Sequence, residues 1–275
     1  MTIRFRKGLS FFIMAAAMSL SFLQLLAQSD ASFPIAESRA RALGYTVEHG
    51  GITRGDSGRR ELALVFTADE FFEGIPIIGK TLRRERVEGA FFLTGRLYRN
   101  AEAQPMIRRI FREGHYMGPH SDMHLLYNDW GRRDSLLVTR DSMMADLSAN
   151  YRAMEELGIS HTARLFIPPY EWWSREVAAW CFRSGIQLVN FTSGTRSNAD
   201  YTHPEMGASY LSSEKILAHL DALARSKRLH GAIVLVHAGT DPRRKDKLYD
   251  RLGEWIRGMK AMGYSFTRLD EMIMR

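Results

Sequence analysis

Short apolar runs alternate with longer amphipathic segments along most of this chain, and this alternation constrains the fold more than any other feature. Each run is continuous, which is typical of a strand buried on both faces, and each segment between runs has helical spacing. Alternating strands and helices predict an α/β fold with a mainly parallel sheet of about seven strands. That number favours closure into a barrel, and an open doubly wound sheet is the alternative. The predicted strands are 62–67, 89–94, 115–118, 164–167, 187–191, 232–236 and 264–267, and the predicted helices are 75–86, 105–113, 139–157, 174–184, 212–227 and 245–262.

The start of the chain has the order of a secretory signal peptide. Arg4, Arg6 and Lys7 precede an apolar run over residues 9–26, and small or polar residues follow that run. We therefore predict a signal peptide over residues 1–27 and a secreted or periplasmic protein with no stable membrane anchor after cleavage. The alternative is an uncleaved anchor, because the run approaches the length that spans a bilayer. Residues 28–59 are predicted to be a lead-in segment and residues 60–275 a single domain.

Composition indicates a protein stabilised by its core. Hydrophobic residues make up 45% of the chain and charged residues 25%, as in ordinary globular proteins. The only cysteine is Cys181, so no internal disulfide can form. Loss of the basic residues of the predicted signal peptide lowers the formal net charge from +7 to +4. Because no arginine-rich stripe with interleaved aromatic residues is present, nucleic acid is not an expected partner.

Reactive side chains follow several of the predicted strands. Asp69 and Glu70 come after the first strand, His120 and His124 after the third, and His237 ends a late one. In a barrel and in a doubly wound sheet alike, chemistry collects outside the carboxyl ends of the strands. Two imidazoles four residues apart can converge on one metal ion from a single turn of chain. The alternative for the pair is two surface or hydrogen-bonded histidines, but the convergence of strand ends favours a metal site.

These residues, in this order, resemble the polysaccharide deacetylase domain of carbohydrate esterase family 4, the nodulation-type deacetylases. That family has an acidic pair after the first strand, a His-Ser/Thr-x-x-His motif, an Arg-Pro-Pro-Tyr segment and a late Leu-x-His. The resemblance covers roughly residues 60–273 and implies a distorted (β/α) barrel, one divalent metal ion and removal of acetyl groups from a sugar. The matching segments are Thr67-Ala68-Asp69-Glu70, His120-Ser121-Asp122-Met123-His124, Ile167-Pro168-Pro169-Tyr170 and Leu235-Val236-His237.

The resemblance also implies a role for each matching residue. Asp69 is expected to be the general base and His237 the general acid, and the backbone N–H of Tyr170 is expected to stabilise the oxyanion. Zinc is the first expectation for the ion, with cobalt and nickel as alternatives, and an acetylated glycan is the expected partner. The expected metal ligands are Glu70, His120 and His124.

Two departures from the family pattern bear on activity. Glu70 stands where the family has a second aspartate, so its carboxylate is one methylene further from the backbone. Ile167 stands where the family usually has an arginine that pairs with the catalytic aspartate. Without that cation the pKa of Asp69 is expected to rise, unless another cation takes its place.

Aromatic residues beyond the motifs indicate a surface for sugar rings, which pack against aromatic faces by apolar burial. The candidates are Trp172, Trp173, Tyr127 and Trp130, with Trp172 first. Trp172 and Trp173, together with Pro169 and Asn190, form the predicted substrate-binding set. The alternative is core packing, because Trp180 lies at helical spacing from Trp173.

Two other functions stay open at this stage. The departures at Glu70 and Ile167 favour a catalytically weak or silent carbohydrate-binding protein. A hydrolase of another bond, such as a phosphoester, has no phosphate-binding glycine loop or arginine cluster to support it.

Overall fold

A computed structural model describes residues 33–159 and 164–274. The predicted signal peptide lies outside the described residues. Within the described ranges, no helix is both long and apolar enough to cross a membrane. The elements are strands β1 Thr46–Glu48, β2 Gly51–Arg54, β3 Glu61–Ala68, β4 Ala90–Leu93, β5 Tyr116–Pro119, β6 Leu165–Phe166, β7 Gln187–Leu188, β8 Ala232–His237 and β9 Ser265–Phe266, and helices α1 Glu37–Ala42, α2 Ile75–Glu85, α3 Gly95–Tyr98, α4 Gln104–Arg112, α5 Arg140–Glu156, α6 Arg175–Arg183, α7 Ser213–Arg225, α8 Leu248–Ala261 and α9 Leu269–Ile273.

Every predicted strand and helix is present, with ends within three residues of those observed. The main sheet has the order β1-β2-β8-β3-β4-β5, and β9 pairs with β3. Strands β8, β3, β4 and β5 are parallel, whereas β2 joins β8 in the antiparallel sense. The register pairs Thr67 with His237, and Leu93 with both Ala68 and Pro119. The carboxyl ends of four adjacent strands therefore lie side by side.

The sheet curls, and a second sheet of β6 and β7 lies between its two ends. Val189 forms a parallel bridge with Ile52 near one end. At the other end, the backbone N–H of Leu165 donates to the hydroxyl of Tyr116 at 2.9 Å. The result is a curled half-barrel, which confirms the prediction of a distorted (β/α) barrel.

Along one edge of β8, the backbone N–H groups donate to side-chain oxygens and not to the backbone of a neighbouring strand. Alternate N–H groups of β8 point toward residues 192–201, a loop followed by the 3-10 helix Ser197–Tyr201. The acceptors of Ile233, Leu235 and His237 are Thr192 Oγ1 at 2.9 Å, Ser197 Oγ at 3.1 Å and Asp200 Oδ2 at 2.9 Å. This segment satisfies the edge of β8 and fixes the residues that flank His237.

The predicted lead-in segment is part of the fold. Strand β2 pairs with β8 through Arg54 and Ala232. Tyr45, Val47 and Ile52 are buried in the same hydrophobic cluster as the inward residues of β3 and β8. Strands β1 and β2 were not predicted, because turn-forming Gly50-Gly51 and Gly55 interrupt their short apolar pattern. The sheet thus begins before residue 60.

Candidate active site

Helix α3 connects the end of β4 to the acidic residue that follows β3. Asp69 is half-buried, and Thr94 Oγ1 donates to its Oδ1 at 2.8 Å. The guanidinium of Arg96 donates to both Asp69 oxygens. Burial opposes ionisation of Asp69, but the hydrogen bonds from Arg96 and Thr94 outweigh burial and lower the pKa of the carboxyl. Arg96 therefore provides the cation that Ile167 does not, and the expected rise in the Asp69 pKa does not occur.

The same short helix holds the loop that carries the two histidines. Arg99 pairs with Asp122 through two hydrogen bonds of 2.7 and 2.9 Å. The backbone N–H groups of Gly95 and Arg96 donate to the carbonyls of Ser121 and Asp122. A Cβ at Gly95 would lie 1.8 Å from an Asp122 oxygen, so the close contact requires glycine. Helix α3 thus fixes Asp69 on one side and the histidine loop on the other.

Helix α5 supports this loop from beneath. Asp146 Oδ2 accepts from Ser121 Oγ at 2.7 Å and from the backbone N–H of Asp122 at 2.9 Å. Its Oδ1 accepts from the N–H of Met123 at 3.0 Å. One carboxylate thereby closes the turn between His120 and His124.

The two histidines lie against each other with unequal exposure. His120 is 2% exposed, and its Nδ1 lies 2.8 Å from the carbonyl oxygen of Ile167, which leaves Nε2 as the ring nitrogen open to a ligand. His124 has a φ of 56°. Its ring centroid is 5.1 Å from that of His120, and its Nδ1 is 3.8 Å from Asp69 Oδ2. Burial lowers the pKa of His120 to about 3 and that of His124 to about 4, so both imidazoles are neutral at physiological pH.

The nitrogens of His120 and His124 are suited to bind a divalent ion. Neutral imidazoles with one nitrogen fixed by a carbonyl are the form in which histidine ligates metals. Glu70, the third predicted ligand, is exposed. Across residues 33–159 and 164–274, no three His, Cys, Asp or Glu side chains are grouped so that they could hold a metal ion. The histidine pair is therefore preformed, whereas the Glu70 carboxylate is not in place beside it.

His237 lies between two carboxylates. Its Nδ1 is 2.6 Å from Asp200 Oδ1, and its Nε2 is 4.0 Å from Glu171 Oε1. Burial alone would lower the pKa of His237, but the charge and hydrogen bond of Asp200, assisted by Glu171, raise it to about 9. The imidazole is consequently protonated at neutral pH, as a general acid must be.

Tyr170 and Glu171 follow Pro168-Pro169 in a left-handed backbone conformation, with φ of 60° and 53°. The Tyr170 ring is 43% exposed and its centroid lies 4.4 Å from that of His124. Asn190 is buried, and its Nδ2 donates to the carbonyl of Glu171 at 3.0 Å. Pro169 is also buried. Pro169 and Asn190 are therefore buried in this turn, and their role in substrate binding stays a prediction.

An aromatic wall of Trp130, Tyr170 and Trp172 extends outward from His124. The Trp130 ring is 56% exposed and lies 5.5 Å from the Tyr170 ring and 5.7 Å from the Trp172 ring. The Arg133 guanidinium covers Trp172 at 3.4 Å. Trp173 was predicted to bind substrate, but it is 4% exposed and its Nε1 donates to the carbonyl of His49. Tyr127 is likewise core, at 1% exposure.

Three residues of the candidate site were not singled out from the sequence. Arg96 follows a predicted strand end by two residues, and a cation at that position was a signal that could have been used. Glu171 directly follows the Pro-Pro-Tyr segment and is an acidic residue at a strand end. Asp200 lies in a segment without helical or strand periodicity, so no pattern marks it.

Comparison with known proteins supports the resemblance to polysaccharide deacetylases. Residues 55–189 match the family model of polysaccharide deacetylases. The chain carries a polysaccharide deacetylase domain. A chitooligosaccharide deacetylase of Sinorhizobium fredii is 27% identical to this chain over 191 residues, which cover 70% of this chain and 78% of the relative. An uncharacterised 30.6 kDa protein of Geobacillus stearothermophilus is 24% identical over 229 residues, 82% of this chain and 76% of the relative.

Solved structures share the fold of this deacetylase domain. The family 4 carbohydrate esterase PdaA of Bacillus subtilis superposes with a TM-score of 0.60 at 22% identity, covering 89% of this chain and 92% of its own. A family 4 pseudoenzyme of Bacillus anthracis superposes with a TM-score of 0.63 at 20% identity, covering 82% and 70%. The fold therefore occurs in active and inactive proteins alike.

Proposed function

We propose that this protein removes acetyl groups, N- or O-linked, from a polysaccharide or oligosaccharide. The observation that supports this best is that the pKa values of Asp69 and His237, two residues at the same edge of the sheet, are shifted in opposite directions. The surroundings of Asp69 lower its pKa, and those of His237 raise its pKa. A carboxylate ready to accept a proton and an imidazolium ready to donate one are the pair that hydrolysis of an amide or ester needs.

The proposed mechanism assigns one proton transfer to each group. Asp69, held by Arg96 and Thr94, accepts a proton from the attacking water. The backbone N–H of Tyr170 stabilises the oxyanion. His237, oriented by Asp200, donates its Nε2 proton to the departing nitrogen or oxygen. The histidines of the pair are neutral and cannot replace His237 as acid at neutral pH.

We also propose that His120 and His124 hold one divalent ion, zinc in the first place, with Glu70 as third ligand. A bound ion at this position supplies Lewis-acid polarisation of the acetyl carbonyl and activation of water. Asp69 is less available as a ligand, because Arg96 occupies both of its oxygens. Export of the mature protein, as the first residues indicate, belongs to the same proposal.

The proposed roles, Asp69 as base and Glu70 as metal ligand, are tested by measuring metal content and acetate release on the same preparations of each variant. Asp69→Asn should retain the metal and lose hydrolysis. Glu70→Gln should weaken metal binding and activity together, with partial recovery in excess divalent ion, because mass action refills a weakened site. If Asp69→Asn binds no metal while Glu70→Gln retains it, the two roles are the reverse of those proposed.

The aromatic wall is the proposed surface for sugar rings beside the reacting acetyl group. Trp130 and Tyr170 are exposed, and the Tyr170 ring lies beside His124, so burying these rings against a sugar contributes apolar binding energy. Trp130→Ala should raise KM for oligomers more than for monosaccharides and leave kcat nearly unchanged, since the wall is outside the reacting centre.

A catalytically silent carbohydrate-binding protein is the second candidate, favoured by the exposed Glu70 side chain. The two candidates differ in one measurement. Released acetate is followed on a panel of acetylated glycans with added zinc, cobalt or nickel, and Asp69→Asn is the control. Glycan binding without acetate release from the wild type would support the silent protein.

A further inference from the structure

Glu171 brings a buried carboxylate to the acid side of the candidate active site. It is the second of two consecutive residues with positive φ, so the chain turns sharply there. The Tyr170 side chain is exposed, whereas the Glu171 side chain is only 9% exposed. The hydrogen bond from Asn190 to the Glu171 carbonyl fixes this turn.

The Glu171 carboxylate faces His237 but accepts no hydrogen bond from the described residues. Within residues 33–159 and 164–274, no group donates a hydrogen bond to it, and its nearest cation is His237, with 4.0 Å between Oε1 and Nε2. That distance is too long for a hydrogen bond. Burial raises the pKa of Glu171, which the charge of His237 opposes. A buried carboxylate without a donor is costly, so a substrate donor at this position would be favourable.

The geometry limits where such a donor can lie. The other nitrogen of His237 is occupied by Asp200, so Nε2 is the nitrogen that can donate to a leaving group. One substrate atom can lie about 3 Å from both Nε2 and Oε1, which is hydrogen-bonding distance to each. The atom that accepts the proton of His237 is therefore also the atom that meets Glu171.

An amide and an ester differ at that atom. In acetamide hydrolysis the oxygen of water bonds to the acetyl carbon, one water proton passes to Asp69, and the C–N bond breaks as the His237 proton passes to nitrogen. Acetic acid, which ionises to acetate, and an amine are the products, and Asp69 then loses its proton to solvent while His237 regains one. The leaving nitrogen retains an N–H that can donate to Glu171 while its lone pair accepts the proton. An ester oxygen carries no hydrogen, so its lone pair would face the carboxylate.

We propose that Glu171 is a specificity-determining residue that selects N-acetyl over O-acetyl sugars through a hydrogen bond with the leaving nitrogen. This inference rests on the proposed deacetylase function. A site built to bind an N–H rejects the analogue that lacks it, because the carboxylate then stays buried without a hydrogen-bond donor. The substrate class is thus a glycan of N-acetylated amino sugars.

Glu171→Gln tests this with little change of shape. We compare kcat/KM of the wild type and the variant on N-acetylglucosamine oligomers and, separately, on O-acetylated xylose oligomers. Hydrolysis of the amide should fall about 10- to 100-fold, the range for a hydrogen bond to a charged group, and hydrolysis of the ester should hold or rise. Exposed Glu176→Gln is the matched control and should change neither. An equal loss on both substrates, or no loss on the amide, overturns the proposal.

A binding measurement separates this inference from the proposed function. Glucosamine oligomers carry amines, whereas glucose oligomers of equal length carry hydroxyls in their place. Wild type should bind the amine oligomers more tightly by calorimetry, and Glu171→Gln should lose that preference. Absence of acetate release from every substrate would contradict the proposed function even if this preference is present. Absence of the preference would overturn the role of Glu171 even if acetate is released.

Discussion

At the scale of single residues, the site depends on charges that are paired before any substrate arrives. Asp69 is paired with Arg96 and His237 with Asp200, and each pairing holds the protonation state that its proposed role requires. Neither partner belongs to the sequence motifs. The motif residues predict the chemistry, and residues outside the motifs set their ionisation.

Asp200→Asn should move the alkaline limb of the pH–rate profile to lower pH. His237 must be protonated to act as acid, so activity falls as pH rises through its pKa of about 9. The Asp200 carboxylate is the main group that raises this pKa, so its removal should shift the limb down by roughly 1 to 3 pH units. The profile of kcat/KM between pH 6 and 10 measures the shift, and an unmoved limb would exclude His237 as the acid.

Arg96→Ala should lower kcat about 10- to 100-fold without loss of bound metal, because Asp69 loses two hydrogen bonds that position it. Arg96→Lys should retain part of the activity, and guanidinium ion added to Arg96→Ala should restore part of it. Equal activity in wild type and Arg96→Ala would leave Arg96 with no positioning role.

At the scale of elements, the strand-to-helix loops are packed so closely that glycines are required. A Cβ at Gly239, just after β8, would lie 2.1 Å from the backbone carbon of Phe71, which follows the Asp69 loop. The loops after β8 and β3 therefore lie backbone to backbone. This contact keeps His237 and Asp69 on one rim.

Gly239→Ala should destabilise the protein by about 1–3 kcal/mol, the usual cost of overpacking. Gly258→Ala in α8 is the matched control. Apart from the backbone of α8 itself, no atom of residues 33–159 and 164–274 lies within 4 Å of its added Cβ, and alanine in a helix interior should be neutral or stabilise by up to about 1 kcal/mol. Urea unfolding of the two variants compares these effects. Equal midpoints would contradict the close approach.

The elements show how far sequence patterns reach. Strands β3 and β8 and helix α5 were predictable because each has one unbroken periodicity. Asp200 was not predictable, because its role depends on a loop and a short 3-10 helix that contact β8 through side chains. Trp173, a predicted substrate-binding residue, is buried, whereas Trp172 is not. Proximity to a motif in sequence does not reveal which of two adjacent tryptophans faces the core.

At the scale of the whole molecule, the fold extends beyond the region of the family match. The match begins at residue 55, yet β1, β2 and α1 precede it and pack on the sheet. Because Ile52 also bridges to Val189, this segment contributes to closing the half-barrel. The lead-in is a structural part of the domain.

A chain that starts at residue 55 should fail to unfold cooperatively, whereas one that starts at residue 28 should unfold in a single transition. The shorter chain lacks Tyr45, Val47 and Ile52, each buried and each worth about 1.5–3 kcal/mol. Their sum is a large part of the 5–15 kcal/mol that stabilises a typical domain. Denaturant unfolding followed by circular dichroism decides this, and equal cooperativity would place the domain boundary at residue 55.

The side-chain acceptors along β8 have a consequence for amide hydrogen exchange. In an ordinary sheet, the protection of an amide depends on a neighbouring backbone, which substitution does not remove. Here Thr192, Ser197 and Asp200 supply the acceptors for Ile233, Leu235 and His237. A single change such as Ser197→Ala deprives one chosen amide of its acceptor and leaves the backbone of the strand intact. Each substitution should therefore raise the hydrogen-exchange rate of one amide of β8 and leave the others nearly unchanged.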